Sequence, residues 1–221
     1  MSKVRRKAKT KRIRHTVFQS VSTMAAMVVL LLLALLQLAV RGLAQTPPSG
    51  TVRVESFSYS GSGCPPGSAE GALSPDGTGL TVIFAEYKAF TPGSPDDQVK
   101  KCQLAVKLIY PTGFAFTLES VTVKGSAHFE EGVKGSLEVG YYFSGIPGAV
   151  RTLRRLPPPV DDMFEFDDDF LTFIYAPCGS ESTTLNVYSE VRVVPPPPPS
   201  NNNKGLIIID AHDFSLRWKT C

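Results

Sequence analysis

The chain has 221 residues and sets 23 Lys and Arg against 20 Asp and Glu, a formal charge of +3 that is spread unevenly. Nine of the basic residues and none of the acidic ones fall in residues 1–44, so the remainder carries 14 basic against 20 acidic side chains, a net charge of −6. That charge excludes bulk attraction to nucleic acid or to an anionic membrane surface, and the 177 residues after Ala44 suit one domain with a sizeable core.

Met24 to Val40 (MAAMVVLLLLALLQLAV) is the only long apolar run, and eight basic residues between Lys3 and Arg14 precede it. Basic charge ahead of an apolar segment holds the N-terminus in the cytoplasm and sends the following chain across the membrane. Gly42-Leu43-Ala44 places small residues where a signal peptidase reads, so cleavage between Ala44 and Gln45 is expected. The alternative is an uncleaved signal anchor, which the long basic region favours. Against it, the run is 17 residues long and interrupted by Gln37, short for a bilayer core of roughly 30 Å. Either way residues 1–44 form a leader helix, 45–51 a spacer and 52–221 an extracytoplasmic domain, secreted or held at the surface through residues 24–40.

Four cysteines remain: Cys64, Cys102, Cys178 and Cys221. An even number in an exported domain reads as two disulfides, with three possible pairings. Cys64–Cys102 with Cys178–Cys221 is favoured because it sets one staple in each half. No Cys-x-x-Cys spacing exists, so a zinc site is not expected.

From Thr51 the pattern is β. Val52, Val54 and Ser56 alternate with Arg53, Glu55 and Phe57. Gly61 to Ser68 (GSGCPPGS) is a loop, and no Lys-Ser/Thr follows to make it a phosphate cradle. Leu73 to Gly77 turns into a strand over Leu80 to Phe90, then a polar loop over Thr91 to Lys101. Cys102, Leu104, Val106, Leu108 and Tyr110 alternate strictly with Gln103, Ala105, Lys107 and Ile109, the clearest half-buried strand. Phe114, Phe116 and Leu118 open another, running on through Val121 and Val123. Ala127 to Phe143 reads as one or two strands, 146–160 as a loop or irregular edge, and Phe170 to Tyr175 and Thr183 to Val194 as strands. Pro195 to Asn203 (PPPPPSNNN) is an exposed connection, because prolines cannot join a ladder. Leu206 to Ile209 and Phe214 to Trp218 close the domain. Eight to ten short strands after the leader, with no amphipathic helix, predict an all-β antiparallel β-sandwich.

Several stretches together resemble a family of small, secreted, four-cysteine proteins common in filamentous fungi and catalogued as a domain of unknown function. They are Gly61-Ser-Gly-Cys-Pro65, Leu73-Ser-Pro-Asp76, Cys102-Gln-Leu104, Tyr110-Pro with Gly113-Phe114, Tyr141-Tyr-Phe-Ser-Gly145, Pro177-Cys-Gly179 and Trp218-Lys-Thr-Cys221. Their order and the cysteine positions carry the resemblance across about residues 52–221. It implies a secreted, cysteine-stapled β domain and brings no catalytic residue. The basic leader, the Pro/Asp-rich stretch near 154–169 and the proline run at 195–199 depart from the pattern.

Three groups could carry chemistry. Asp161, Asp162, Glu165, Asp167, Asp168 and Asp169 could collect Ca²⁺, although their spacing is not that of an EF-hand, and the plainer reading is a solvated loop paired with Arg151, Arg154 and Arg155. His212 lies near Asp210 and Asp213 as a general base would, but strand neighbours diverge, and an exposed histidine near a turn is expected instead. Tyr141, Tyr142 and Phe143 are consecutive, so Tyr142 faces away from the other two and one of the two sets faces outward. Such an outward aromatic surface suits sugar rings or a surface protein, with an ordinary cross-strand aromatic pair as the alternative. No Gly-x-Ser-x-Gly, His-Glu-x-x-His or cofactor motif occurs. The reading is a secreted, non-enzymatic β-sandwich that works by binding; the alternatives are an extracellular polysaccharide hydrolase and a signal-anchored surface domain.

Overall fold

The computed structural model describes residues 27–30 and 46–221, except 157–159 and 179–180. The chain divides into two units, Met1–Ala44 and Gln45–Cys221. Of the first, only residues 27–30 are described, and they are helical; the rest of the expected leader lies outside the described residues. Among the described residues no helix is long and apolar enough to cross a membrane.

The second unit is an antiparallel sandwich of eleven strands. In chain order they are β1 (Arg53–Ser60), β2 (Ala69–Leu73), β3 (Gly79–Phe84), β4 (Lys88–Thr91), β5 (Val99–Ile109) and β6 (Phe114–Phe129). Then come β7 (Lys134–Phe143), β8 (Val150–Leu156), β9 (Val160–Asp169), β10 (Ser182–Val194) and β11 (Gly205–Thr220). One helical turn, α1 (Pro95–Gln98), precedes β5; the Ser94 side chain accepts from the Asp97 N–H, and the Asp97 carboxylate accepts from the Ser94 N–H. The five-stranded sheet runs β1-β5-β10-β7-β8. The six-stranded sheet runs β2-β3-β11-β6-β9, with β4 pairing β11 beyond the end of β3.

The core is what the period-2 pattern supplies. Leu104, Val106 and Leu108 of β5 lie beside Val187, Val191 and Val193 of β10 on the inner face of one sheet, and Ile207 and Ile209 of β11 lie on the inner face of the other, all buried. One end is aromatic. Phe116 lies 5.4 Å from Tyr110, 5.2 Å from Phe143 and 5.0 Å from Trp218, centroid to centroid. Trp218 Nε1 donates to the Gly77 carbonyl at 2.8 Å, so its one polar atom is satisfied inside. Emptying the Trp218 position would cost about 3–5 kcal/mol.

Cys64 is bonded to Cys102, and Cys178 to Cys221, with Cα separations of 5.4 and 5.7 Å. The first pins the glycine-rich loop to β5; the second pins the segment after β9 to the end of β11. In the chain-entropy model each stabilises by roughly 4 kcal/mol, less any native strain.

Two bulges set the phase of the long central pair. The register of β11 on β6 shifts between Ile209 and Ala211 and again between Ser215 and Leu216. At the second shift the extra residue is Glu119 of β6. It explains why apolar positions change from even (Phe116, Leu118) to odd (Val121, Val123) within one strand.

Several expectations are corrected. Residues 161–169, read as a loop, are strand β9, paired along β6 from Phe129 to Ser120; Phe164 and Phe166 turn toward the sheet interior and hold it there. Residues 150–156, read as loop or irregular edge, are strand β8 on β7. Phe170 to Tyr175, read as a strand, is irregular. Its ends are fixed by single bonds, from the Phe170 N–H to the Glu119 carbonyl and from the Ala176 N–H to the Phe116 carbonyl. Leu80 to Phe90 is two strands, and Leu206 to Trp218 is one.

Candidate functional site

The outer face of the five-stranded sheet is where the predicted aromatic surface falls, in altered form. Tyr141 and Phe143 are fully buried in the core and are no part of a surface. The Tyr141 hydroxyl shares a hydrogen bond with Thr117 Oγ1 at 2.7 Å and donates to the Leu118 carbonyl at 3.2 Å. Burial raises its pKa, so it stays protonated. Tyr142 alone turns outward, half-buried.

The register supplies its neighbours. One row across β5, β10, β7 and β8 reads Gln103, Tyr188, Gly140, Arg151. The row beside it reads Lys101, Glu190, Glu138, Leu153; the row on the other side reads Ala105, Asn186, Tyr142. Tyr142 and Tyr188 are therefore diagonal neighbours, about 7–8 Å apart at the backbone. Tyr188 lies on Gly140: a Cβ added there would stand 2.3 Å from Tyr188 Cζ and 2.4 Å from its hydroxyl. Glycine leaves room for the phenol end of the ring over the strand. Burial and the nearby Glu138 carboxylate raise the Tyr188 pKa.

The charges around the two rings neutralise one another. Arg192 reaches Glu190 through Nε at 3.0 Å and Nη2 at 2.6 Å, and Lys101 reaches it at 3.1 Å. Burial opposes ionisation of Glu190, but these partners more than offset it and hold the carboxyl below its ordinary range. Arg151 reaches Glu138 at 3.4 Å. Glu138 and Glu190 face each other across β7 and β10, the arrangement a glycosidase would need. Glu190, however, is kept ionised among cations, which suits orienting a hydroxyl rather than donating a proton. The result is a level, nearly neutral surface of two tyrosines, amides and paired charges.

Tyr188 was not anticipated from sequence. Its signal was present: in Thr183 to Val194 the even positions are Thr184, Asn186, Tyr188, Glu190 and Arg192, and an aromatic ring is out of place on that polar face.

The other predicted residues are dispersed. On β9, Asp161, Glu165, Asp167 and Asp169 face outward, and Asp162 and Asp168 the other way. Asp161 lies 3.0 Å from His128, Glu165 3.6 Å from Lys124, and Asp167 accepts from Thr122 at 2.5 Å. Among the described residues, no three of His, Cys, Asp and Glu gather closely enough to hold a metal ion. His212 is corrected from exposed to buried: the bulge at Asp210 adds a residue, which turns His212 and Phe214 inward and Asp213 outward. Its ring sits edge-on to Phe84 at 5.0 Å and Phe214 at 5.9 Å, and its Nδ1 has no hydrogen-bond partner among the described residues. Burial drives its pKa down to about 4.

Shallow clefts lie elsewhere on the described surface. One of about 390 Å³ lies beside Tyr59, Glu70 and Ile83, and one of about 350 Å³ beside His128, Asp161 and Met163.

The fold and its cross-links define a disulfide-stapled β-sandwich of an oxidising, extracytoplasmic compartment. The chain belongs to the DUF4360 family, a domain of unknown function, whose pattern matches residues 50–221. An uncharacterized secreted protein of the filamentous fungus Arthroderma benhamiae is 32% identical over 185 residues, covering 79% of this chain and 74% of its own length. The protein is accordingly a secreted one.

Solved structures similar to it include TmCBM61 in complex with β-1,4-galactotriose, at 14% identity and a TM-score of 0.29, covering 73% of this chain and 89% of that one. Another is a family 11 carbohydrate-binding module from Clostridium thermocellum in complex with a β-1,3-1,4-mixed-linked tetrasaccharide, at 11% identity and 0.22, covering 75% and 89%. The Cry4Aa toxin of Bacillus thuringiensis scores 0.31 at 8% identity, covering 72% of this chain and 23% of its own. Likenesses this distant carry no ligand over to this chain.

Proposed function

We propose that the protein is a secreted, non-enzymatic binding module that holds an uncharged glycan on the outer face of its five-stranded sheet. The carrying observation is the pair Tyr142 and Tyr188 on adjacent strands, the second with its phenol end over Gly140. Sugar rings present C–H faces that stack on such rings, while Gln103 and Glu138 lie within reach of ring hydroxyls. Because the charges of this face are already paired with one another, a neutral polysaccharide fits better than an anionic one.

A panel of neutral and anionic oligosaccharides, probed with the protein purified from culture medium, tests this. Binding of neutral glycans that Tyr142→Ala and Tyr188→Ala each weaken is the expected result. Binding that survives the double substitution would falsify the assignment of the face. Release of reducing ends, abolished by Glu138→Gln or Glu190→Gln, would instead establish a hydrolase. Export is assigned to the leader, with cleavage after Ala44. The intact mass of the secreted species should begin at Gln45; a full-length species confined to membranes would mean an anchor.

A further inference from the structure

Strands β8 and β9 follow one another in the chain but are edge strands of different sheets, on the same side of the sandwich. Their compositions are opposite. β8 carries Arg151, Arg154 and Arg155 and no acid, while β9 carries six acids and no base. Within the chain, Arg154 crosses between them. Its guanidinium donates to Asp168 through Nε at 2.9 Å and Nη2 at 2.6 Å, and lies 4.6 Å over the Phe166 ring, which stacks on Phe164. That crossing brings the Arg154 head to residues 166–168 of β9. Arg155 and Asp169 have no ion-pair partner among the described residues.

Among these charges stand apolar side chains that water surrounds. Leu153 is 49% exposed, Met163 79%, and Leu171, two residues past β9, 93%. An edge guarded only against aggregation needs charge, not exposed leucine and methionine.

We propose that this side wall is the surface on which a second copy of the chain docks, about a two-fold axis parallel to the strands. Because both edges lie on one side, that operation sets β8 of each copy against β9 of the other, and the contact is made twice. Levels along the strands are kept. Arg151 and Arg155 of one copy then face Glu165, Asp167 and Asp169 of the other, and Leu153 and Met163 are covered. Arg155 and Asp169 gain a first ion pair, while Arg151, Glu165 and Asp167 add to their contacts with Glu138, Lys124 and Thr122. The Met163 N–H already donates to the Asp162 carboxylate, and the Asp167 carbonyl already accepts from Arg154. Side chains therefore carry the contact more than a new ladder does. Ten residues of strand reach about 34 Å, and two layers with their side chains make a wall about 20 Å wide. That is roughly 700 Å² on each copy, close to the roughly 800 Å² each partner buries in a standard interface.

The test is sedimentation equilibrium on the protein purified from medium after expression of the full chain. The expected result is twice the monomer mass in dilute buffer, with a dissociation constant that rises about tenfold or more as salt goes from about 50 to about 500 mM. R151E/R155E and E165K/D167K/D169K should each be monomeric alone, yet an equimolar mixture should form dimers, because an acidic β8 then meets a basic β9 and the reverse. That rescue also shows that both variants fold. The milder R155Q and D167N should weaken association a few-fold with unchanged circular dichroism. A wild-type protein that stays monomeric at about 100 μM in dilute buffer, or a dimer indifferent to both charge reversals, overturns the proposal.

Discussion

The sandwich has two outer faces, made of the polar halves of the same kind of strand, and they are finished differently. On the six-stranded sheet the outward residues satisfy one another. Lys124 sits between Asp213 at 2.9 Å and Glu165 at 3.6 Å, and Thr81 and Thr122 donate to Asp213 and Asp167. On the five-stranded sheet the ion pairs flank the centre, and the centre is given to Tyr142 and Tyr188. Away from its β9 edge, the first face is a solvated surface of mutually paired groups. The second keeps two apolar rings wet, at a cost in solvation that a ligand would remove. A glycine set under one ring, where a strand prefers a β-branched residue, points the same way.

The two faces share one core, so the largest effect should strike both together. His212 has an ordinary pKa of 6.5 that falls to about 4 in the folded protein. On acidification the unfolded chain takes the proton first. Stability is therefore full above about pH 6.5 and declines toward pH 4, by up to about 3 kcal/mol. Urea melts at pH 7, 5.5 and 4 should show the decline, and His212→Phe should flatten it. Identical curves for both proteins would remove His212 from the account.

Gly140→Ala should break the tyrosine face alone. Its Cβ would meet Tyr188 and stand 2.6 Å from the Val150 carbonyl oxygen, a strain of about 2 kcal/mol readable as a lower Tm. Tyr188→Ala and Tyr142→Ala should separate binding from folding, each weakening glycan affinity about tenfold with little change in Tm. The smallest effect belongs to the other face. Lys124→Ala should shift Tm by no more than about 2 °C, because exposed pairs contribute little, and should leave glycan affinity unchanged. Loss of binding on Lys124→Ala would show that the wrong face had been chosen.

Strict alternation made β5 and β10 legible in the sequence, and the turn residues around Gly61 to Ser68 and Leu73 to Gly77 made their loops legible too. What escaped were features that alternation cannot carry. The Asp210 bulge reverses which residues of β11 face inward, so His212 looked exposed. β9 looked like a loop because its acids outnumber its aromatic residues, yet Phe164 and Phe166 suffice to seat it on β6. Tyr141 and Phe143 were assigned with the right geometry, opposite to Tyr142, but alternation alone does not say which set is inside. Tyr188 was out of place on the polar face of β10, but its position over Gly140 and beside Tyr142 needed β10 to be set between β5 and β7.

The positions of β10 and β11 bear on how the domain comes to exist. β10 lies in the middle of one sheet and β11 in the middle of the other, yet they are the last two strands in chain order. As the chain is threaded through a translocation channel from its N-terminal end, β1 to β9 emerge with the centre of each sheet missing. Neither half can close until residues 182–220 have followed. Folding then waits on contacts between segments far apart in sequence, which is slow. In that interval unpaired strands stand open on both sheets, exposed to mispairing and aggregation.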